Sequence, residues 1–296
     1  MNRKSYYEAS ARERMAAFLD PGSFQEFLPP TDRVSSPHLR QLDQPGAFDD
    51  GILVGSGRLS GHPVLAAAQE GVFMGGAVGE VHGAKLVGLL ERALVTKPEA
   101  VILLLETGGV RLHEANAGLI AVSEVMRALL DLRNAGIPVL VLIGGANGCF
   151  GGMGIVARCA DYVVMSDMGR LAMSGPEVIE ASHGVDEFDS RDRALVWRTT
   201  GGKHRWLCGD CDMLLEDDVN AFRQAAIAAL DASSPVTLEG LEAEHALLAS
   251  RLLLLPETVD GDEALALWRL LGVADAAGVA ELDAAAVRAL RIAQGA

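Results

Sequence analysis

Residues 101–111, VILLLETGGVR, and residues 138–152, PVLVLIGGANGCFGG, decide the fold. Each stretch begins with an unbroken apolar run, which is the pattern of a strand buried on both faces of a parallel sheet. Each run ends in a glycine-rich turn, and helical patterns follow over residues 115–134 and 153–160. Strand, glycine turn and helix in repetition predict an α/β fold with parallel strands.

The same texture extends to both sides of these stretches. Apolar runs at 52–57 and 63–69, separated by a Ser-Gly-His turn, predict a β-hairpin, and a glycine-rich segment then opens a helix over 80–94. Further short strands are predicted at 162–165 and 170–173. Since the chain shows neither an internal repeat nor a low-complexity linker, one domain with added helices is the simplest interpretation.

The two ends of the chain carry other patterns. Residues 1–30 predict a short amphipathic helix followed by a turn. Residues 31–48 hold prolines among polar residues and predict a surface loop. Residues 176–296 are mostly helical, with periodic stretches rich in Ala and Leu. We therefore expect helices to be added around a central sheet.

Composition narrows the classes of function. The chain has 296 residues, half of them apolar, which is enough for a sizeable core. It carries 25 Lys and Arg against 40 Asp and Glu, a formal net charge of −15, which argues against binding nucleic acid. A CoA-like ligand needs only a few local cations and stays possible. With 33 glycines and 5% aromatic residues, tight turns around a ligand are favoured over a stacking surface.

Cysteine content and apolar run length indicate a compartment. Four cysteines are too few for a disulfide scaffold at this length. The first residues lack the apolar run of a signal peptide, and no apolar stretch approaches the roughly 20 residues that span a bilayer. We expect a soluble, reduced, cytoplasmic protein that contacts no membrane.

The two glycine turns are the strongest candidates for chemistry. Gly108, Gly109 and Val110 follow one buried strand, and Gly151 and Gly152 follow the next. Glycine lets the backbone approach a ligand closely, and the first N–H groups of a helix have no partner within the helix. Two such turns facing each other would form an oxyanion hole. The alternative is that these glycines only make tight turns.

His113 is the most suggestive of the seven histidines. It follows the first glycine turn and stands beside Glu114, so it could donate a proton. The alternative is a histidine with a surface or packing role. The spacing of residues supports neither a Ser-His-Asp arrangement nor a metal cluster.

The segment 198–205 is the one concentrated basic stretch of the sequence. Arg198, Lys203, His204 and Arg205 could meet a phosphate or an acidic partner. The alternative is that these side chains pair with acidic neighbours in the sequence, namely Asp210, Asp212 and Glu216. The sequence leaves both readings open.

Two further motifs are weak. Cys208 and Cys211 form a lone C-x-x-C, whereas a structural zinc site needs four ligands, so we interpret both as unligated thiols and expect no metal. Neither the dinucleotide motif G-x-G-x-x-G nor the phosphate-binding motif G-x-x-x-x-G-K-[ST] occurs.

Several blocks in order resemble the carboxyltransferase family of the crotonase-like superfamily, as found in acyl-CoA carboxylase β-type subunits. The resemblance runs from about residue 11 to about residue 218. Its blocks are ARER at 11–14 with DPGSFQE at 20–26, GSGRLSGHPV at 55–64, FMGGAVGEVHGAK at 73–85, ETGGVRLHE at 106–114 and MSGPEVIE at 173–180.

The resemblance implies a crotonase-like α/β fold, a ββα superhelix. A single N-type carboxyltransferase half would occupy residues 1–235, and residues 236–296 would form a helical extension packed on it or on a partner subunit. The four-cysteine zinc ribbon of many bacterial carboxylase chains does not occur. Glu106 and His113 stand where the family usually has Asp and Gln. Within the family, the chain looks most like β subunits of biotin-independent malonate decarboxylases.

The resemblance also implies a reaction. A malonyl thioester on an acyl carrier protein would lose CO₂ and leave an acetyl thioester, with the enolate oxygen held by the two glycine turns. No permanently bound cofactor is implied, because the carrier protein delivers its own phosphopantetheine group. Expected partners are a second crotonase-like subunit of γ type, the carrier protein and an acyl transferase. The alternatives are a carboxyltransferase subunit of a biotin-dependent acyl-CoA carboxylase and a non-catalytic scaffold.

Overall fold

A seven-stranded sheet lies at the centre of the computed structural model, which describes residues 4–43, 50–254 and 262–293. The strands lie side by side in chain order, β1 pairs with β2 and β2 with β3 in antiparallel fashion, and β3 to β7 are parallel. They are β1 Gln25–Phe27, β2 Ile52–Leu59, β3 His62–Gln69, β4 Ala100–Leu105, β5 Val139–Ile143, β6 Tyr162–Ser166 and β7 Met213–Leu215.

Helices cover both faces of this sheet. In the described residues they are α1 Ala11–Phe18, α2 Pro37–Gln41, α3 Glu80–Thr96, α4 Ala117–Asn134, α5 Gly152–Arg158, α6 Pro176–His183, α7 Arg193–Thr200, α8 Gly202–Cys208, α9 Val219–Ala228, α10 Leu238–Leu254, α11 Glu263–Leu270 and α12 Ala284–Ala293. No helix of these described residues is long and apolar enough to cross a membrane.

The core explains why the central strands are apolar without interruption. In β4 and β5 the odd-numbered side chains pack against α3, α4 and α5, and the even-numbered ones pack against α1 and α9. Every residue of both strands is buried. Because both faces are covered, a polar residue at any of these positions would lose its contact with water.

A second, smaller set of backbone pairings joins the turns at the carboxyl ends of the strands. Isolated bridges connect Thr107 to Cys149 and Cys149 to Leu171, and another joins Arg170 to Gly201. The chain therefore passes along one edge of the sheet as a row of linked turns. These turns carry the candidate site.

The predicted hairpin, the strands at 101–105, 138–143 and 162–165, and the main helices are confirmed within a few residues. The strand predicted at 170–173 is wrong, because that segment makes only the isolated bridges. β1 and β7 were missed, since three-residue edge strands are too short for a periodic pattern. The loop predicted at 31–48 contains α2, and its residues 44–49 lie outside the described residues.

The C-terminal helices build a third core. Trp268 of α11 is buried and packs with Val279 and Val287 against Leu207 and Leu214 of α8 and β7. In contrast, α10 lies largely exposed, with the exception of Arg251 among its described side chains. Arg251 donates a hydrogen bond to the carbonyl of Cys208.

Two glycines of α3 allow a matched test of the packing. A Cβ added at Gly83 would collide with the Cβ of Ala121 in α4, whereas a Cβ added at Gly88 meets nothing within 4 Å. We expect Gly83→Ala to lower the free energy of unfolding by about 1–3 kcal/mol. Gly88→Ala should raise it by up to about 1 kcal/mol, because glycine is a poor helix former. Urea denaturation of both variants measures this, and equal effects would contradict the packing.

Candidate functional site

The two glycine turns lie against each other. Thr107 donates its N–H to the carbonyl of Gly148 at 2.8 Å, and Phe150 donates to the carbonyl of Thr107 at 2.9 Å. A Cβ added at Gly151 would lie 3.2 Å from the Cα of Gly109. The turn that follows β4 and the turn that follows β5 thus form one unit.

Backbone conformation requires glycine at the point of contact. Gly109 has a φ of +144°, and Gly151 has a φ of +66° with a ψ of −148°. Residues with a side chain rarely adopt either conformation. Glycine here serves the shape of the turns as well as the close approach of the two backbones.

Three of the five amides proposed from the sequence already have acceptors inside the chain. An amide that donates within a turn is not available to a ligand unless the turn opens. The three bonds run from Gly108 to the carbonyl of Gly75 at 2.8 Å, from Gly109 to Oγ1 of Thr107 at 3.1 Å, and from Gly151 to the carbonyl of Met173 at 2.9 Å.

The N–H groups of Val110 and Gly152 remain. No acceptor for either is found among the described residues. Val110 lies in the first turn, between the two hydrogen bonds that its neighbours Gly109 and Arg111 make with Val78. Gly152 is the first residue of α5, where an N–H has no partner within the helix. Each turn therefore presents one unused donor.

Buried charges hold the first turn from below. Arg111 donates to the carbonyls of Ala77 at 2.9 Å and Asp50 at 2.6 Å, and it pairs with Glu114 at 3.2 Å. Glu114 also accepts the N–H of Glu80, the first residue of α3, at 2.6 Å. Glu114 is thus committed to the scaffold. It does not assist His113, which is half-buried in the short 3₁₀ turn Leu112–Glu114.

The basic segment is tied to its own chain. Arg198 pairs with Asp262, Lys203 donates to the carbonyl of Ala280 at 2.7 Å, and Arg205 pairs with Asp210 at 2.9 Å. The Asp210 contact is the one that the self-pairing alternative predicts. Asp212 and Glu216, also named by that alternative, each accept a backbone N–H group.

His204 is buried rather than exposed to a partner. Its Nδ1 accepts the indole N–H of Trp268 at 3.1 Å, which joins α8 to α11. Burial, followed by the charge of Arg205, lowers the pKa of His204 to about 4. The imidazole is therefore neutral near pH 7 and adds no positive charge to the segment.

Two cavities divide the remaining cations. One of about 380 Å³ is lined by Arg198 and Lys203 together with Trp197 and Trp268. The other, of about 330 Å³, is lined by Arg205, Arg158, Ile155 and Met173. Cys149 pairs with Leu171, and the neighbouring Arg170 pairs with Gly201. Two such pairings separate Cys149 from Gly201 by roughly 10 Å, at the usual spacing of paired strands. The basic segment, which contains Gly201, therefore lies near the second glycine turn.

The C-x-x-C pair is part of the scaffold. Cys211 is buried in the main core, and Cys208 lies 3.7 Å from Nε2 of His204. Burial raises the pKa of the Cys208 thiol to about 11. In the described parts of the chain no group of three or more His, Cys, Asp or Glu side chains could hold a metal ion.

Sequence reasoning missed a buried chain of hydrogen bonds beneath the first turn. His82 donates from Nδ1 to the carbonyl of Asp50 at 3.0 Å, and its Nε2 accepts from the amide of Gln69 at 3.1 Å. The oxygen of Gln69 then accepts the N–H of Glu106 at 2.9 Å. The available signal was a polar residue at the end of an apolar strand, namely Gln69 at the end of β3 and Glu106 directly after β4.

Comparison with known proteins identifies the family of this chain. Residues 8–235 match the carboxyl transferase domain. A malonyl-S-ACP:biotin-protein carboxyltransferase of Malonomonas rubra is 47% identical in an alignment over 241 residues that covers 77% of this chain and 76% of that protein.

Two solved structures are similar in fold. One is a Pseudomonas malonate decarboxylase hetero-tetramer in complex with malonate, with a TM-score of 0.82, 42% identity, and coverage of 91% of this chain and 98% of that chain. The other is a Pseudomonas MdcD–MdcE hetero-dimer of the same enzyme, with a TM-score of 0.67, 38% identity, and coverage of 83% and 96%. The expected crotonase-like carboxyltransferase fold is confirmed.

The buried His82 predicts a pH dependence of stability. Burial, followed by the charge of Arg111, lowers its pKa to about 3, against about 6.5 in an unfolded chain. Below pH 6.5 the histidine is therefore protonated in the unfolded state and still neutral in the folded state. The free energy of unfolding falls as the pH falls toward 3. Above pH 6.5 this histidine contributes no pH dependence.

The variant His82→Gln tests this expectation. Between pH 7.5 and 5.5 it should lose about 1.4 kcal/mol less unfolding free energy than the wild type, corresponding to one pH unit below the unfolded pKa. Denaturant titrations at the two pH values give the difference. His204 titrates in both proteins and cancels. Parallel losses in the two proteins would show that His82 is not the group responsible.

Proposed function

Because the chain belongs to the carboxyl transferase domain family, we propose that it is the decarboxylating subunit of a biotin-independent malonate decarboxylase. Its reaction converts a malonyl thioester on an acyl carrier protein into an acetyl thioester and CO₂. One observation carries the proposal: two adjoining turns each present an N–H group, of Val110 and of Gly152, that has no acceptor among the described residues.

The chemistry needs such donors. When the bond between the α-carbon and the carboxylate breaks, CO₂ leaves and the electron pair stays on the α-carbon, delocalised onto the thioester oxygen. Preorganised N–H groups stabilise that oxyanion, each by roughly 2.7–4 kcal/mol. A proton delivered to the α-carbon completes the acetyl thioester. The substrate brings its own phosphopantetheine arm, so the subunit needs no permanently bound cofactor.

His113 is our candidate for the proton donor. It lies three residues after Val110 in the chain, and it is half-buried. Histidine is the side chain that most often serves as a general acid in enzymes. A donor from the partner subunit is the alternative.

An apolar rim around the two donors is suited to a partner subunit. Val72, Leu112 and Met173 are 92%, 85% and 69% exposed, and Ile155 is also exposed. They come from the segments that carry or contact the glycine turns. Exposed apolar patches of this kind mark protein interfaces. We assign the rim to a second crotonase-like subunit, in keeping with the hetero-oligomeric relatives.

The helical extension at 236–296 offers further partner surface. Its α11 and α12 pack on α8 and β7, but α10 exposes Leu238, Leu252 and other leucines. We assign α11 and α12 to packing on the domain and α10 to contact with another subunit. The complete assembly also contains an acyl transferase.

The four cysteines are free thiols, and we propose the cytoplasm as the compartment.

The carrier protein is assigned to the basic segment. Arg198 and Lys203 line the first cavity, and Arg205 lines the second, which borders α5 where it follows the second turn. His204 supports the segment from within by its bond to Trp268. A chain of net charge −15 repels an acidic carrier at long range, so docking depends on a local positive surface.

A second candidate function is transfer of the carboxyl group to biotin. The identity with the Malonomonas protein, whose name specifies a biotin-protein acceptor, favours it. Both reactions start from the malonyl thioester and form the same enolate as the carboxyl group leaves, so the geometry of the turns serves either. A non-catalytic scaffold is disfavoured, because it would have no use for an N–H group without an acceptor on each of two adjoining turns.

The first experiment measures CO₂ release from malonyl carrier protein by the purified complex. We expect release without added biotin and unaffected by avidin. Abolition by avidin would assign the chain to carboxyl transfer.

Val110→Pro should lower kcat by about 10²–10³-fold, because it removes one donor and keeps the bonds of Gly109 and Arg111 to Val78. Val110→Ala is the control and should stay near the wild-type rate; a folded Val110→Pro enzyme at that rate would sink the proposal.

The rim is tested by placing charge on it. Leu112→Glu should weaken association with the partner subunit by at least about tenfold, since a carboxylate would be buried among apolar groups. Val95→Glu is the matched control, because Val95 is 82% exposed but lies at the far end of α3. Analytical ultracentrifugation of both variants with the partner reads this out, and equal affinities would remove the rim from the interface.

The carrier site is tested by the pair Lys203→Gln and Arg205→Gln, whose amides can still donate to nearby carbonyls. We expect the KM for malonyl carrier to rise several-fold with kcat nearly unchanged. The effect should vanish near 1 M salt, where the Debye length is about 3 Å. Arg127→Gln, on α4, is the control. A loss of stability with an unchanged KM would restrict the segment to a structural role.

A further inference from the structure

A buried ion pair lies directly beneath the two turns. Glu106, the first residue after β4, is 4% exposed, and Arg14 of α1 is 1% exposed. The guanidinium of Arg14 pairs with one oxygen of Glu106, and the other oxygen accepts the backbone N–H of Asn147 at 3.1 Å. The proposed chemistry uses neither side chain.

Two glycines pass close to the carboxylate of Glu106. A Cβ added at Gly71 or at Gly145 would collide with one or the other of its oxygens. The side chain of Asn147 donates to the carbonyl of Gly71 at 2.8 Å and closes the enclosure from above. On the other side, Arg14 is held by the carbonyl of Tyr6 at 2.8 Å.

The pair connects the two turns through their backbones. Glu106 stands immediately before Thr107, and Asn147 stands immediately before Gly148, and these two neighbours are joined by the hydrogen bond from Thr107 to Gly148. The carboxylate therefore sets the register between the chain that leads to Val110 and the chain that leads to Gly152.

Stability alone is a poor reason for such a pair. The attraction between two buried charges is offset by the loss of their hydration, and apolar replacements of buried pairs are often neutral or stabilising. Geometric specificity is a use that buried pairs do serve in some proteins. Here the geometry at stake is the separation of two donors.

We propose that Arg14 and Glu106 are positioning residues, which fix the relative placement of the Val110 and Gly152 amides without touching the substrate. The effect on rate rests on the proposed function, whereas the effect on the turns does not. The Glu side chain accounts for the contact with α1.

The test uses the assembled complex and the double variant Arg14→Met with Glu106→Leu. Removing both charges leaves no buried charge unpaired, so the complex should form and unfold as the wild type does. We expect kcat to fall roughly 10–100-fold with an unchanged KM, the size of effect that a small misplacement produces. Hydrogen exchange measured by mass spectrometry should speed up in both turns, at 106–112 and 144–153.

A second buried pair provides the control. Arg133 and Asp161 pair at 3.0 Å near the amino end of β5, away from the turns. Arg133→Met with Asp161→Leu also leaves no buried charge unpaired, and it should leave kcat and exchange in the turns unchanged. Because exchange needs no turnover, it still reports if the proposed reaction is wrong. A folded Arg14→Met, Glu106→Leu complex with wild-type exchange in both turns would overturn the proposal.

Discussion

The parallel register of β3 to β6 is the constraint from which the rest of the structure follows. Parallel strands end at the same edge of a sheet, so their turns arrive side by side. Here the turns are also hydrogen-bonded to one another, through Thr107, Cys149 and Leu171. Three of the five candidate amides, those of Gly108, Gly109 and Gly151, donate hydrogen bonds within the chain. The amides of Val110 and Gly152 have no acceptor among the described residues, because these residues lie between the bonded positions.

Beneath the turns, buried polar groups form hydrogen bonds with one another in place of water. Gln69, His82 and Glu106 form a chain in which each donor has an acceptor. A neutral imidazole can donate from one nitrogen and accept at the other, whereas its protonated form can only donate. Burial keeps His82 neutral, and that protonation state holds the first turn in place.

Charge and apolar surface are distributed in a way that separates two kinds of contact. The cations of 198–205 are joined to the chain's own carboxylates and carbonyls, so their reach is short. The rim around the donors is apolar and exposed. A stable partner is suited to the rim, where burial of apolar surface stabilises association. A transient acidic partner is suited to the weakly positive cavities, where charge mainly accelerates encounter.

The sequence by itself determined the buried strands, the hairpin, the main helices, the place of both glycine turns and the family. These features depend on local periodicity and on short motifs, which a linear chain displays. Tertiary structure alone decided that Gly108, Gly109 and Gly151 spend their amides within the turns, and that Val110 and Gly152 do not. It also decided that Arg198 meets Asp262, and that Glu106 meets Arg14. The physical reason is that an amide or a charge is satisfied by whichever distant group the fold delivers to it, and local pattern carries no record of that group.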